Sequence, residues 1–227
     1  MGRGSRRIVF PRLTVRSQQT LDGIVLRTYN VGEADRLCIV FTRERGRIAA
    51  RARAVRKLGS RMGALLLPGR RVTIDLREDN GNATIAAARL NGDIADVSEA
   101  MTLAAAQQGI ELLLILTEDG EPLPDVFDLL FQFLHVCGVD PARSRLAFQL
   151  RLFHLLGLLP SHLDDRRFTS LSEHERAAVS LASRTGDFAV LCENIDATDD
   201  LLDFAKAMLI EHARDLKSTA VYSALTV

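Results

Sequence analysis

From Leu21 onward the chain alternates apolar and polar side chains in short runs bounded by turn residues, a period of two that predicts β-strands. Five strands are expected, over residues 21–29, 36–42, 47–53, 71–77 and 83–90. They are separated by Asn30-Val31-Gly32-Glu33, by Arg45-Gly46, by a longer link, and by Asp79-Asn80-Gly81-Asn82. The last is a hairpin signal, because Asn and Gly accept the positive φ that tight turns require. Five strands with the longer link between the third and fourth match the OB-fold, a small barrel whose free face and loops can hold an oligonucleotide.

Past Asn91-Gly92-Asp93 the period changes to that of helices. Ser98 opens an apolar-rich helix running to about Thr117, and Glu118 to Pro122 ends it. A second helix is expected over 124–137, with Val126, Leu129, Leu130, Phe133 and Leu134 on one face. Asp140-Pro141 pairs an N-cap with proline at the first helical position and opens a third helix through Leu156. Ser172-Glu173-His174-Glu175 has capping-box spacing, and Asp199 or Asp200 is expected to cap a further helix through His212. The expected class is therefore α+β: a five-stranded OB-fold barrel over residues 17–92, then an all-helical domain over 93–227.

With 47% hydrophobic residues in 227 positions the chain can bury a substantial core. Its longest apolar run, Leu112 to Leu116, is far too short to span a bilayer, so no membrane association and a soluble, cytoplasmic protein are expected. Cys38, Cys137 and Cys192 are too scattered for a disulfide framework or a zinc site and read as small apolar residues.

Charge changes the picture more. The formal net charge is zero, yet residues 1–90 hold 19 Lys+Arg against 7 Asp+Glu, while residues 91–227 hold 10 against 22. Such segregation suggests that one part meets a polyanion and the other is free for protein contacts. The first 16 residues carry five arginines and no acid, and read as a flexible basic arm. An organelle transit peptide is the alternative, though no convincing amphipathic helix supports it. The densest cluster is Arg43, Arg45, Arg47, Arg51, Arg53, Arg56, Lys57 and Arg61, opposed only by Glu44. Arg47, Arg51 and Arg53 share strand parity and should project from one face, with Ile48 and Ala50 turned to the barrel interior. Arg56, Lys57 and Arg61 fall in the link beside Gly59 and Ser60, whose amides and hydroxyl are placed to reach phosphate oxygens. A solvated charged face is the bland alternative, but such faces mix both signs, and arginine forks suit phosphate. Tyr29 and Phe41 are the only aromatics between positions 17 and 92, and Phe41 reads as core, so phosphate contacts should dominate binding.

The segments Gly23-Ile24-Val25-Leu26-Arg27, Glu33-Ala34-Asp35-Arg36-Leu37, Val40-Phe41-Thr42-Arg43-Glu44-Arg45-Gly46-Arg47-Ile48 and Ala52-Arg53-Ala54-Val55-Arg56, then Ser60 and Leu66-Leu67-Pro68, resemble in order and spacing the N-terminal domain of the bacterial RecO family. The resemblance extends weakly through the helical half to Leu216-Lys217-Ser218. It implies a protein that binds single- and double-stranded DNA, anneals complementary strands, and acts with RecR to load RecA onto DNA coated by the single-stranded DNA-binding protein. It also implies DNA contacts at Arg36, Arg47, Arg53, Arg56 and Lys57, with Arg43, Arg51 and Arg61 as further candidates. The usual Ala-Lys-Gly of the family stands here as Ala52-Arg53-Ala54, which loses a flexible glycine. Some relatives carry a zinc-ribbon cysteine set in the helical half; this chain has no Cys-x-x-Cys, and no metal or cofactor is expected.

In the family the acidic tail of the single-stranded DNA-binding protein docks on the helical domain, which needs an apolar pocket and a cation. Arg143, Arg145 and Arg151 beside Phe148 are the candidates, and ordinary exposed helix residues are the equal alternative. Catalysis is not indicated. The five histidines are isolated, with His135 and His154 reading as core, and Asp164-Asp165 and Asp199-Asp200 sit where turns or caps use them. The remaining function class is an RNA-binding OB module of the translation apparatus.

Overall fold

The computed structural model describes residues 17–91, 100–160 and 166–215. The basic arm, Ser98, His162, Asp164-Asp165 and Leu216-Lys217-Ser218 lie outside them. Five strands, β1 (Ser17–Val31), β2 (Asp35–Thr42), β3 (Gly46–Ala52), β4 (Arg71–Asp79) and β5 (Asn82–Leu90), close a barrel in the order β1-β2-β3-β5-β4. All neighbours are antiparallel except β3 and β5, whose parallel pairing closes the ring. The β4–β5 turn has Asn80 at φ 50° and Gly81 at φ 80°, the two left-handed residues of a tight hairpin that the Asn-Gly pair predicts. The barrel interior is filled by Leu21, Val25, Val40, Ile48, Ala50 and, from β4 and β5, Val72, Ile74, Leu76 and Ile85. The fold class is α+β with an OB-type barrel first, as the alternation predicts.

Helices follow. α1 (Arg61–Leu65) lies within the β3–β4 link; then come α2 (Ala100–Leu116), α3 (Pro124–Val136), α4 (Pro141–Leu155), α5 (Glu173–Arg184), α6 (Phe188–Glu193) and α7 (Asp199–Asp215). Asp140 caps α4 by accepting from the Arg143 amide at 3.1 Å. The capping box on α5 is complete, Ser172 Oγ accepting from the Glu175 amide while the Glu175 carboxylate accepts from the Ser172 amide at 2.7 Å. At α7 the cap is Thr198, not Asp199 or Asp200: its Oγ1 accepts from the Leu201 amide at 3.3 Å while its hydroxyl donates to Glu175, tying α7 to α5. The short helices α1 and α6 escape sequence reading because one turn or so carries no periodicity. No helix among the described residues is long and apolar enough to cross a membrane.

The helical core does not stop at the helices. Ile24, Leu26 and Phe41, on the outer side of β1 and β2, belong to the cluster built by α2, α3 and α4, and Phe41 lies 6.2 Å from the Phe127 ring. Period-two alternation turns Ile24 and Leu26 to the helices and Val25 to the barrel, and a bulge in β1 between Val25 and Arg27 then keeps Arg27, paired with Ile39, on the outer side as well. Gly46 at the start of β3 has φ 64°, and a Cβ there would collide with the Glu121 carbonyl of the α2–α3 connection. The turn therefore requires glycine twice over, for its conformation and for the approach of the helical segment.

Candidate nucleic-acid interface

The seam between barrel and helices accounts for several of the clustered arginines. Arg43 pairs with Asp128 of α3, and Arg47 with Asp119, while Arg47 Nη1 also donates to the Leu114 carbonyl at 2.6 Å. Arg27 reaches Glu111 of α2 at 3.0 Å. Arg71 pairs with Asp22 at 2.5 Å and lies 4.2 Å from the Phe131 ring centroid, a cation–π contact beside the Phe41–Phe127 pair. Hydrogen bonding to Asp128 raises the Arg43 pKa, and hydrogen bonding to Asp22 raises that of Arg71. Arg43 and Arg47, expected on a free phosphate-binding face, are instead engaged by the acidic half of the same chain. Sequence reading missed Asp128 and Asp119 as their partners, and Glu111 as that of Arg27; the opposite net charges of the two halves were the available signal.

Arg36 is likewise occupied. From the start of β2 its Nη1 donates to the carbonyls of Gly63 and Leu66, both at 3.1 Å, which holds the β3–β4 link in place. Val55 and Leu66 insert into the barrel core at the two ends of that link, 4% and 0% exposed. Between these anchors the chain arches outward. Ser60, expected to reach phosphate, caps α1 by accepting from the Gly63 amide at 3.3 Å.

The remaining basic candidates lie at this end of the barrel, away from the seam. Arg51, Arg53, Arg56, Lys57 and Arg61 are all exposed. Arg51 Nε donates to Asp35 Oδ2 at 2.8 Å, and the other oxygen of Asp35 accepts from the Ala54 amide at 2.8 Å. The amide bond, then Arg51, hold the Asp35 carboxyl below its ordinary value of 3.8, with burial acting against them. Arg56 lies over the β1–β2 turn, its amide bonded to the Ala34 carbonyl at 2.9 Å and its guanidinium to that of Gly32 at 2.8 Å. Arg53, Arg56, Lys57 and Arg61 have no carboxylate at salt-bridge distance among the described residues. One surface thus gathers the end of β3, the link and the β1–β2 turn, and presents five cations offset by Asp35 and the neighbouring Glu33. Ala54, where the resembled family has glycine, takes φ 57°. The backbone keeps the left-handed turn although the residue disfavours it.

The helical candidates do not form one patch. Phe148 is fully buried, its ring 4.5 Å from Phe133, so it offers nothing to a docking tail. Arg143 pairs with Asp140 at 3.4 Å and Asp196 at 3.3 Å, and Arg145 Nη1 donates to Gln108 at 3.2 Å. Arg151 donates to the Ala182 carbonyl at 2.9 Å and, with its pKa lowered by burial, lines a pocket of about 180 Å³ with Asp125, Asp128 and Asp187. Of the histidines read as core, His154 is half-buried, with burial lowering its pKa, whereas His135 is exposed and stacks edge-on against Phe131 at 4.3 Å. No cluster of three or more metal-ligating side chains occurs among the described residues.

Two family models match the chain in succession: recombination protein O N terminal over residues 17–92, and recombination protein O C terminal over residues 98–165. Proteins named DNA repair protein RecO from Bacillus mycoides (strain KBAB4), Bacillus cereus (strain AH187) and Bacillus anthracis are each 30% identical to it over 173 residues, covering 75% of this chain and 68% of theirs. Since the barrel and the helical segment after it match in the same order, and the alignments to these relatives span three quarters of the chain, it belongs to the RecO family.

Proposed function

We propose that this chain is a non-enzymatic mediator of recombinational DNA repair, whose barrel binds single- and double-stranded DNA and brings complementary strands together. Membership of the RecO family supports the repair role. The observation that carries the DNA-binding part is the surface of Arg51 at the end of β3 with Arg53, Arg56, Lys57 and Arg61 on the anchored arch, five exposed cations of which only Arg51 has a carboxylate partner among the described residues. Arg36, Arg43 and Arg47 support the arch and the seam instead of touching phosphate. Annealing needs no covalent chemistry: lowering the repulsion between two polyanions while leaving base edges free is sufficient. Loading of RecA, with RecR and the tail of the single-stranded DNA-binding protein as partners on the helical half, completes the proposal, and the cytoplasm is where it would act.

Annealing of complementary oligonucleotides tests it, run with the cognate single-stranded DNA-binding protein and with a version lacking its tail. The expected result is faster annealing than in the absence of the chain, with the coated strands requiring the intact tail. A protein that retains no oligonucleotide even at low ionic strength would refute the assignment of the basic surface.

A further inference from the structure

Tyr29 is 48% exposed, although it is one of only two tyrosines in a chain without tryptophan. In β1 it stands opposite Leu37 of β2, which stands opposite Arg51 of β3. Directly paired residues in antiparallel strands project to the same face, so Tyr29, Leu37 and Arg51 form one row across the outside of the barrel. The next row inward is Arg27, Ile39 and Ala49, where Ile39 packs on the helical core and Arg27 pairs with Glu111. The Tyr29 row is thus the first that the helices leave uncovered. It borders the β1–β2 turn to which Arg56 is bonded through Gly32. The Tyr29 hydroxyl has no hydrogen-bond partner among the described residues, so no polar contact within them ties this side chain down.

We propose that Tyr29 is a stacking platform for an unpaired base of single-stranded DNA whose phosphates lie on Arg51, Arg53, Arg56 and Lys57. This rests on the DNA-binding reading above and adds what the cations lack, a means of telling one strand from two. Guanidinium and ammonium groups meet phosphates of either form. A base face, by contrast, is open to an aromatic ring only when the strand is unpaired, because a duplex stacks its bases on one another. Leu37, half-buried beside Tyr29, extends the apolar floor under the base. A single platform amid five cations also predicts little sequence preference, since every base offers a π-face.

The test uses the full chain carrying Tyr222→Phe, which leaves Tyr29 as the sole tyrosine. Oligothymidylate, an abasic strand of equal length and a duplex are the probes. Oligothymidylate should quench the tyrosine emission and the abasic strand should not. Adding Tyr29→Ala should weaken oligothymidylate binding roughly 5- to 150-fold while leaving abasic-strand and duplex affinity and the salt slope unchanged; Tyr29→Phe should restore it. A Tyr29→Ala protein with an unaltered urea midpoint that binds oligothymidylate as tightly as its parent overturns the inference. So does an equal loss on all three probes. If the parent binds oligothymidylate and the abasic strand equally, only the platform falls; if it binds no probe at all, the DNA-binding reading falls with it.

Discussion

Replacing Arg53, Arg56 and Lys57 together by alanine removes three of the five exposed cations from the end of the barrel. Each phosphate neutralised on a single strand contributes about 0.7 to the slope of log affinity against log salt. Five such contacts give a slope of about 3.5, and the two left in the triple variant give about 1.4. Between about 50 and about 200 mM salt the parent should therefore lose affinity about 130-fold and the variant only about 7-fold. Fluorescence anisotropy of a labelled oligonucleotide, titrated at several salt concentrations, measures both slopes. The control is the Arg43→Ala, Arg47→Ala double variant. These residues face Asp128 and Asp119 across the seam, so the salt slope should stay at the parental value while the urea midpoint falls. Equal slopes for parent and triple variant, or a slope that drops only in the seam variant, would show that the strand lies on a different surface.

Phe41→Ala should cost about 3–5 kcal/mol in urea unfolding, because the ring is fully buried against Phe127 between barrel and helices; a loss under about 1 kcal/mol would mean the two halves are not packed there. Ala54→Gly should stabilise by roughly 0.5–1 kcal/mol, the relief of a left-handed alanine less the added freedom of glycine in the unfolded chain, and a lowered midpoint would contradict the φ of 57°. The Asp35 carboxyl is held below its ordinary value of 3.8 in the fold, so its contribution is present above that value and lost as pH falls through the folded value. Asp35→Asn should accordingly flatten the acid side of the stability curve, and parallel curves for the two proteins would remove the Asp35–Ala54 link. Burial pushes the Cys38 and Cys192 thiols up to about 11 and raises Cys137 as well, so a thiol reagent at mildly alkaline pH should label the folded chain far more slowly than the denatured one.

Much of the barrel was legible because its determinants are local. Alternation placed all five strands to within a few residues at each end, and Asn80-Gly81 specified its own turn. Polar caps did the same for α4 and α5, where Asp140 and Ser172 each bond the amide three residues on. The site was only half legible, because strand parity gives the face of a side chain and not what covers that face. Arg47 and Arg51 project on the same side of β3, yet Arg47 lies under the α2–α3 connection and Arg51 in solvent. Phe148 fails for the converse reason. Its neighbours Arg145 and Arg151 suggested a surface, but they stand on a helix whose intervening face is the core.

The opposite charges of the two halves serve two ends that a sum over sequence cannot separate. At the seam, Arg27–Glu111 and Arg43–Asp128 are more than a third exposed on both sides, so solvent screens them and each adds little to stability. Burial of Ile24, Leu26 and Phe41 contributes more to holding the halves together, and the ion pairs act mainly on which surfaces meet. Their second effect is on what remains. Pairing Arg27, Arg43 and Arg47 within the chain leaves Arg53, Arg56, Lys57 and Arg61, at the other end of the barrel, as a group without a carboxylate partner among the described residues. A strand drifting from there toward the helices would meet Glu118 and Glu121, both exposed, and be repelled. On the proposed reading the acidic half would thereby bound the path of a strand held on the barrel. This follows only if the seam arginines stay paired, which is why an unchanged salt slope in the Arg43→Ala, Arg47→Ala variant matters as much as the loss expected in the triple variant.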